Sequence, residues 1–94
     1  MKELDLARRL HRLRRTVIML QTELRLEHLD AELLAEIEQQ MDHGISTDPR
    51  SAHLSLLVDA LRESILTPRP ELFRDVTRAS EQLKEGVEVI LDNL

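Results

Sequence analysis

Residues 6–24, LARRLHRLRRTVIMLQTEL, decide the fold. Leu6, Leu10, Leu13, Val17, Leu20 and Leu24 follow one another at alternating steps of four and three. That is the heptad spacing of a coiled-coil-like helix, which buries one apolar seam against other helices. Near the other end the same pattern returns at Phe73, Val76, Ser80, Leu83, Val87, Ile90 and Leu94, with one polar residue, Ser80, in the seam. Two long helices with such seams need helical neighbours to cover them. The pattern predicts an all-α protein, a small antiparallel four-helix bundle whose long first and last helices carry heptad stripes.

Composition points the same way. The chain of 94 residues has the size of one small helical domain spanning 1–94. Phe73 is its one aromatic residue, so the core is built from Leu, Val, Ile and Met, of which Leu and Met are good helix formers. Two glycines and three prolines are too few for the turn chemistry of a β-protein. There is no cysteine, hence no disulfide, no thiolate metal site and no thiol nucleophile. The N-terminal residues are charged rather than apolar, and the longest apolar run is Val17 to Leu20, far short of the roughly 18 residues of a membrane span. The expectation is a soluble, cytoplasmic chain.

Breaks in the pattern give the element boundaries. Helix 1 is predicted over about 2–28, with Glu3 and Asp5 at the positive end of its dipole. No Gly or Pro occurs between residues 1 and 43, so a single rod about 60 Å long is the alternative to a break. The seam favours a break near Asp30, with a bent continuous helix as the alternative: continued past Leu24 it would bury Glu27 and Glu38, whereas the apolar stripe shifts to Leu26, Leu29, Leu33 and Ile37. Asp30 suits an N-cap, and Leu29 with Leu34 form a hydrophobic staple. Helix 2 is predicted over 31–43, with Leu33, Leu34, Ile37 and Met41 inward and Gly44 just past its end. Asp48-Pro49 reads as the start of helix 3, over 49–66, with Leu54, Leu57, Val58, Leu61 and Ile65 inward. Thr67-Pro68-Arg69-Pro70 is a stiff connector, and helix 4 follows from Pro70 to Asn93. Ala79 and Gly86, seven residues apart, put two small side chains on one edge of its seam, where a neighbour can approach closely.

Helix 1 carries more apolar surface than its seam uses. Val17, Ile18, Met19 and Leu20 point around nearly its whole circumference, Leu4 and Leu26 lie off the stripe, and helix 3 adds Leu56 and Leu66. Four short helices can hardly surround one of their own number. The sequence therefore predicts a homodimer, with Val17, Ile18, Leu20 and Leu24 of helix 1 and Val87 and Ile90 of helix 4 as self-association residues.

Charge is unevenly spread. The net value is −5, yet residues 1–15 hold six bases and two acids, and the remainder seven bases and sixteen acids. Arg8, Arg12 and Arg15 form one stripe of helix 1, a candidate recognition face for acidic groups such as Glu81, Glu85 or Glu88 of another copy, or for an acidic protein. A nucleic-acid site would use the same cations, but the acidic total repels phosphate and no aromatics interleave with the arginines. A membrane-surface helix would want Trp or Phe on the apolar face, and helix 1 has neither.

Chemistry finds no foothold. His11, His28, His43 and His53 are not paired at the i, i+4 spacing of a helical metal site, and no Glu-x-x-His occurs. Ser51, Ser55, Ser64 and Ser80 lack a nucleophile-elbow glycine pattern, and no Gly-rich phosphate loop is present. The expectation is a non-enzymatic, cofactor-free, self-associating helical protein that binds another protein as an adaptor, a chaperone-like subunit or a regulator. The alternative is a dimeric DNA-binding regulator that uses the arginine face of helix 1.

Overall fold

The computed structural model describes residues 2–67 and 70–94, with side chains from residue 4 onward. The side chain of Glu3 and the Pro68-Arg69 part of the predicted connector lie outside the described residues.

Four helices form: α1 (Lys2–Arg25), α2 (Ala31–Asp42), α3 (Leu54–Leu66) and α4 (Leu72–Asp92). The break between α1 and α2 is made by backbone geometry. The His28 N–H donates to the Glu23 carbonyl (2.9 Å) and the Glu27 N–H to the Leu24 carbonyl (2.9 Å), closing a Schellman turn. That turn needs a left-handed residue, and Glu27 supplies it at φ 57°. A side chain there costs about 1 kcal/mol relative to glycine. Glu27→Gly is therefore expected to stabilise the fold by about 0.5–1 kcal/mol, read as a rise in the thermal midpoint; an unchanged or lower midpoint would contradict the turn. Three residues on, the Asp30 carboxylate accepts the Glu32 N–H at 2.9 Å and caps α2. Gly44 follows α2 at φ 98°, and the Arg9 guanidinium lies 2.6 Å from where a Cβ would stand. The left-handed backbone is what favours glycine at this position, since the Arg9 guanidinium is the end of a flexible side chain that can move aside.

The start of α3 differs from the sequence expectation. Helix does not begin at Pro49; residues 49–53 form successive turns and α3 opens at Leu54. Asp48 does accept a backbone N–H, that of Arg50 (2.9 Å), but the Arg50 guanidinium also takes both its carboxylate oxygens, at 3.1 and 3.0 Å. The Arg50 side chain and backbone N–H hold the Asp48 carboxyl below the usual range, with a smaller contribution from the charge of Arg9. Ser51, fully buried, donates its hydroxyl back to the Ile45 carbonyl at 2.7 Å. Polar side chains and three-residue backbone turns, such as the Ser51 N–H on the Asp48 carbonyl (3.0 Å), thus satisfy this segment locally. Its reward is Ile45, a loop residue buried completely in the core.

Polar cross-links fix the direction of the helices. Thr16 of α1 accepts from the Gln40 amide of α2 (2.9 Å), while Arg9 lies beside Gly44, so α1 and α2 are antiparallel. Gln21 donates to Glu81 (2.7 Å) and Arg14 to Glu88 (3.0 Å), which sets α4 antiparallel to α1. Arg62 of α3 reaches Glu38 of α2. Each helix packs against its neighbours in a ring, α2 and α3 least extensively, and the diagonal pairs do not approach. The result is a compact four-helix bundle measuring 45 × 21 × 20 Å, without strands among the described residues.

All six seam residues of α1 are buried, as are Val76, Ser80, Leu83, Val87 and Ile90 of α4, Leu33, Leu34, Ile37 and Met41 of α2, and Leu54, Val58 and Leu61 of α3. Leu57 and Ile65 are half-buried against this core. Ser80 keeps its place in the seam by donating to the Thr77 carbonyl (2.7 Å) and accepting from Gln21. The two outermost positions of the C-terminal seam, Phe73 at the start of α4 and Leu94 just past its end, do not follow the pattern and are exposed. At Gly86, α3 and α4 meet closely. An added Cβ would stand 2.8 Å from Leu57 Cδ1 and 3.0 Å from Leu54 Cδ2, the close approach that the small residues of α4 predict.

Candidate protein-binding surface

Seven arginines and histidines of α1 face outward or sideways, and the bundle sorts them. Arg14 is held by Glu88 of α4 through Nε and Nη2, at 3.2 and 3.0 Å. Arg9 lies against Gly44, at the loop that Asp48 closes. Arg8, Arg12 and Arg15 are exposed and, among the described residues, enter no ion pair. Steps of four and three put these three on one stripe of the helix, and Met19, half-exposed, extends it by another turn. Leu4 (52% exposed) and Leu26 (72% exposed) flank the stripe at its two ends. The outward side of α1 is therefore a cationic ridge with apolar patches.

The self-association residues named from sequence separate differently. Val17, Leu20, Leu24, Val87 and Ile90 are buried within the single chain, covered by its own helices. Four helices arranged in a ring suffice to seal both heptad seams, so these five side chains are not offered to another molecule. Ile18 alone of the six remains half-exposed. Leu56 and Leu66 of α3 point to solvent rather than to the core. The acids considered as partners of the arginines are partly taken already: Glu88 by Arg14, and Glu81 by Gln21 and Lys84 (3.3 Å). Glu85 stays exposed.

What the sequence did not reveal is what stands next to the arginine ridge. Between α1 and α2 runs an open groove of about 570 Å³, lined on one side by Arg9 and Arg12 and on the other by Glu36, Gln39 and His43. Glu32, Glu36, Gln39 and His43 are all exposed and share a stripe of α2 with the same four-three-four steps as residues 8, 12, 15 and 19. A cationic stripe and an acidic-polar stripe thus lie side by side. Their helical periodicity is present in the sequence, but only the antiparallel pairing of α1 with α2 brings them onto one face. In the groove floor, the Gln40 amide donates to Thr16 and, at 3.4 Å, to Glu36, while its carbonyl oxygen is buried without a partner.

A second groove of about 610 Å³ opens between the end of α1 and the start of α4, with Leu24 and Phe73 as apolar lining and Arg25, Arg74 and Arg78 around them. Glu27 and Glu81 also line it, so its charge is mixed. Among the described residues no three His, Asp or Glu side chains converge as metal ligands, and no helix is long and apolar enough to cross a membrane. Compared with protein families, with curated proteins and with solved structures, the chain finds no match.

Proposed function

We propose that this chain is a non-enzymatic, self-associating helical module that binds protein surfaces through the outward side of α1, in the manner of an adaptor or regulator. One observation carries the reading: Arg8, Arg12 and Arg15 are exposed along a single stripe with no ion pair among the described residues, beside the exposed Met19, Leu4 and Leu26. Three aligned guanidiniums with apolar neighbours are suited to carboxylates on another protein, which they meet in forked geometry. The net charge of −5 supplies such carboxylates on every copy of the chain and opposes binding to nucleic acid.

The same stripe is what a DNA-binding regulator would use, and one pair of measurements separates the two. Light scattering at about 100 μM protein in low salt is expected to give a dimer, and fluorescence anisotropy with a generic labelled duplex to show no retention at near-physiological salt. A monomer whose affinity for duplex falls steeply as salt rises would overturn the protein-binding reading in favour of DNA.

A further inference from the structure

We propose that the outward side of α4 pairs antiparallel with the same side of a second copy of this chain; the inference rests on the self-association reading and names its face. Arg74, Arg78, Glu81, Glu85 and Asp92 follow one another at steps of four, three, four and seven, so they share one stripe of α4. Gln82 and Val89 stand beside it, and all seven residues are exposed. The stripe is basic in the first half of the helix and acidic in the second. That order runs against the helix dipole, which favours acids at the start and bases at the end. The last turn of α4 holds no base at all. Four of the charges also lack an answer in their own chain: Arg74, Arg78, Glu85 and Asp92 enter no ion pair among the described residues.

A second copy supplies the opposite charges. A two-fold axis that lies in the interface and crosses α4 at right angles reverses the helix direction and keeps each residue on its own side of the stripe. With the axis between Glu81 and Gln82, residues equally far above and below it face each other. Arg78 and Glu85 both stand about 5 Å from that level, so Arg78 of one copy faces Glu85 of the other. Arg74 stands level with Val89 of the second copy, which its aliphatic stem covers. Asp92 of the second copy lies about 5 Å further from the axis. Helical side chains lean toward their own N-terminus, which brings the Arg74 guanidinium and this carboxylate toward each other. Each contact forms twice, and each acidic half lies beside the positive end of the other α4. Two acids are left facing acids. Glu71 does so at the rim, and Glu81 beside the axis, where Lys84 (3.3 Å) and Gln21 (2.7 Å) of its own chain answer it. One helix on each side makes a small contact, hence a reversible dimer that salt weakens. The arginine stripe of α1 lies outside this contact and stays open to another protein.

Charge reversal tests the pairing. Arg78→Glu puts two Glu–Glu contacts into its own dimer, and Glu85→Arg puts in two Arg–Arg contacts. Each variant alone is expected to associate at least about tenfold more weakly than wild type. Mixed one to one, the two variants form only opposite-charge contacts at these positions, and the heterodimer is expected to return to near wild-type affinity. The double variant Arg78→Glu/Glu85→Arg is expected to dimerise by itself. Circular dichroism confirms that each chain keeps its helices. Wild-type dimerisation that survives Arg78→Glu, or a mixture that fails to associate, overturns this face and leaves self-association standing. A wild type that is monomeric at about 100 μM in low salt overturns both.

Discussion

Replacing Leu13 by Ala is expected to remove about 3 kcal/mol of stability, with a fall of roughly 2 M in the urea midpoint. Leu13 is fully buried in the middle of the α1 seam, so truncation loses both its transfer free energy and the contacts around the void it leaves. A chain of this length has roughly 5–14 kcal/mol in total, and the loss is therefore a large share of it. The control is Leu56→Ala. Leu56 is 72% exposed on the outer side of α3, and its truncation is expected to stay within about 0.5 kcal/mol of wild type. Equal losses at the two positions would contradict the assignment of which α3 and α1 faces are inside.

The second large effect belongs to Gly86. Valine in place of this glycine gains a few tenths of a kcal/mol in helix propensity. It also forces a Cβ and two methyl groups into a space where the Cβ alone would already stand 2.8 Å from Leu57 and 3.0 Å from Leu54. Overpacking of this kind costs about 1–3 kcal/mol, so packing wins and Gly86→Val is expected to lower stability by about 2 kcal/mol. Alanine balances the two terms more evenly. Its propensity gain is about 1 kcal/mol, and the atoms it meets are the ends of flexible leucine side chains. Gly86→Ala is expected near neutral. A valine variant as stable as wild type in urea would mean that α3 and α4 do not approach here.

The contrast between these residues shows where sequence reasoning succeeds. The α1 seam could be read residue by residue because heptad spacing follows directly from helix geometry, and all six of its side chains are buried. Asp30 and Gly44 were legible because capping and the left-handed C-terminal turn have few chemical solutions. Asp48-Pro49 misled because an Asp that accepts a backbone N–H serves a tight turn as well as a helix start. The deciding contacts, Arg50 on Asp48 and Ser51 on Ile45, depend on the folded loop. Ile45 carries no periodic signal at all, being a single apolar residue in a polar loop, yet it is completely buried.

The surplus apolar surface of α1 was overestimated for a related reason. Consecutive Val17, Ile18, Met19 and Leu20 span the helix circumference on paper, but α2 and α4 flank α1 on two sides and cover Val17 and Leu20. Only Ile18 and Met19 are left toward solvent. The sorting of the arginines was likewise invisible beforehand. Nothing in the local sequence distinguishes Arg14, which meets Glu88 seventy-four residues away, from Arg15, which is exposed and enters no ion pair among the described residues. The heptad seam is thus covered within the chain, and the surface proposed for association is the charged face that the seam, by folding inward, leaves outside.

The outward side of α4 is proposed to join one copy to another by charge. Sedimentation equilibrium of the wild-type chain measures this most directly. The mass of two chains is expected at about 100 μM protein in low salt, falling toward one chain as NaCl is raised to about 0.5 M. A mass of one chain at every salt concentration, or a dimer indifferent to salt, would contradict it.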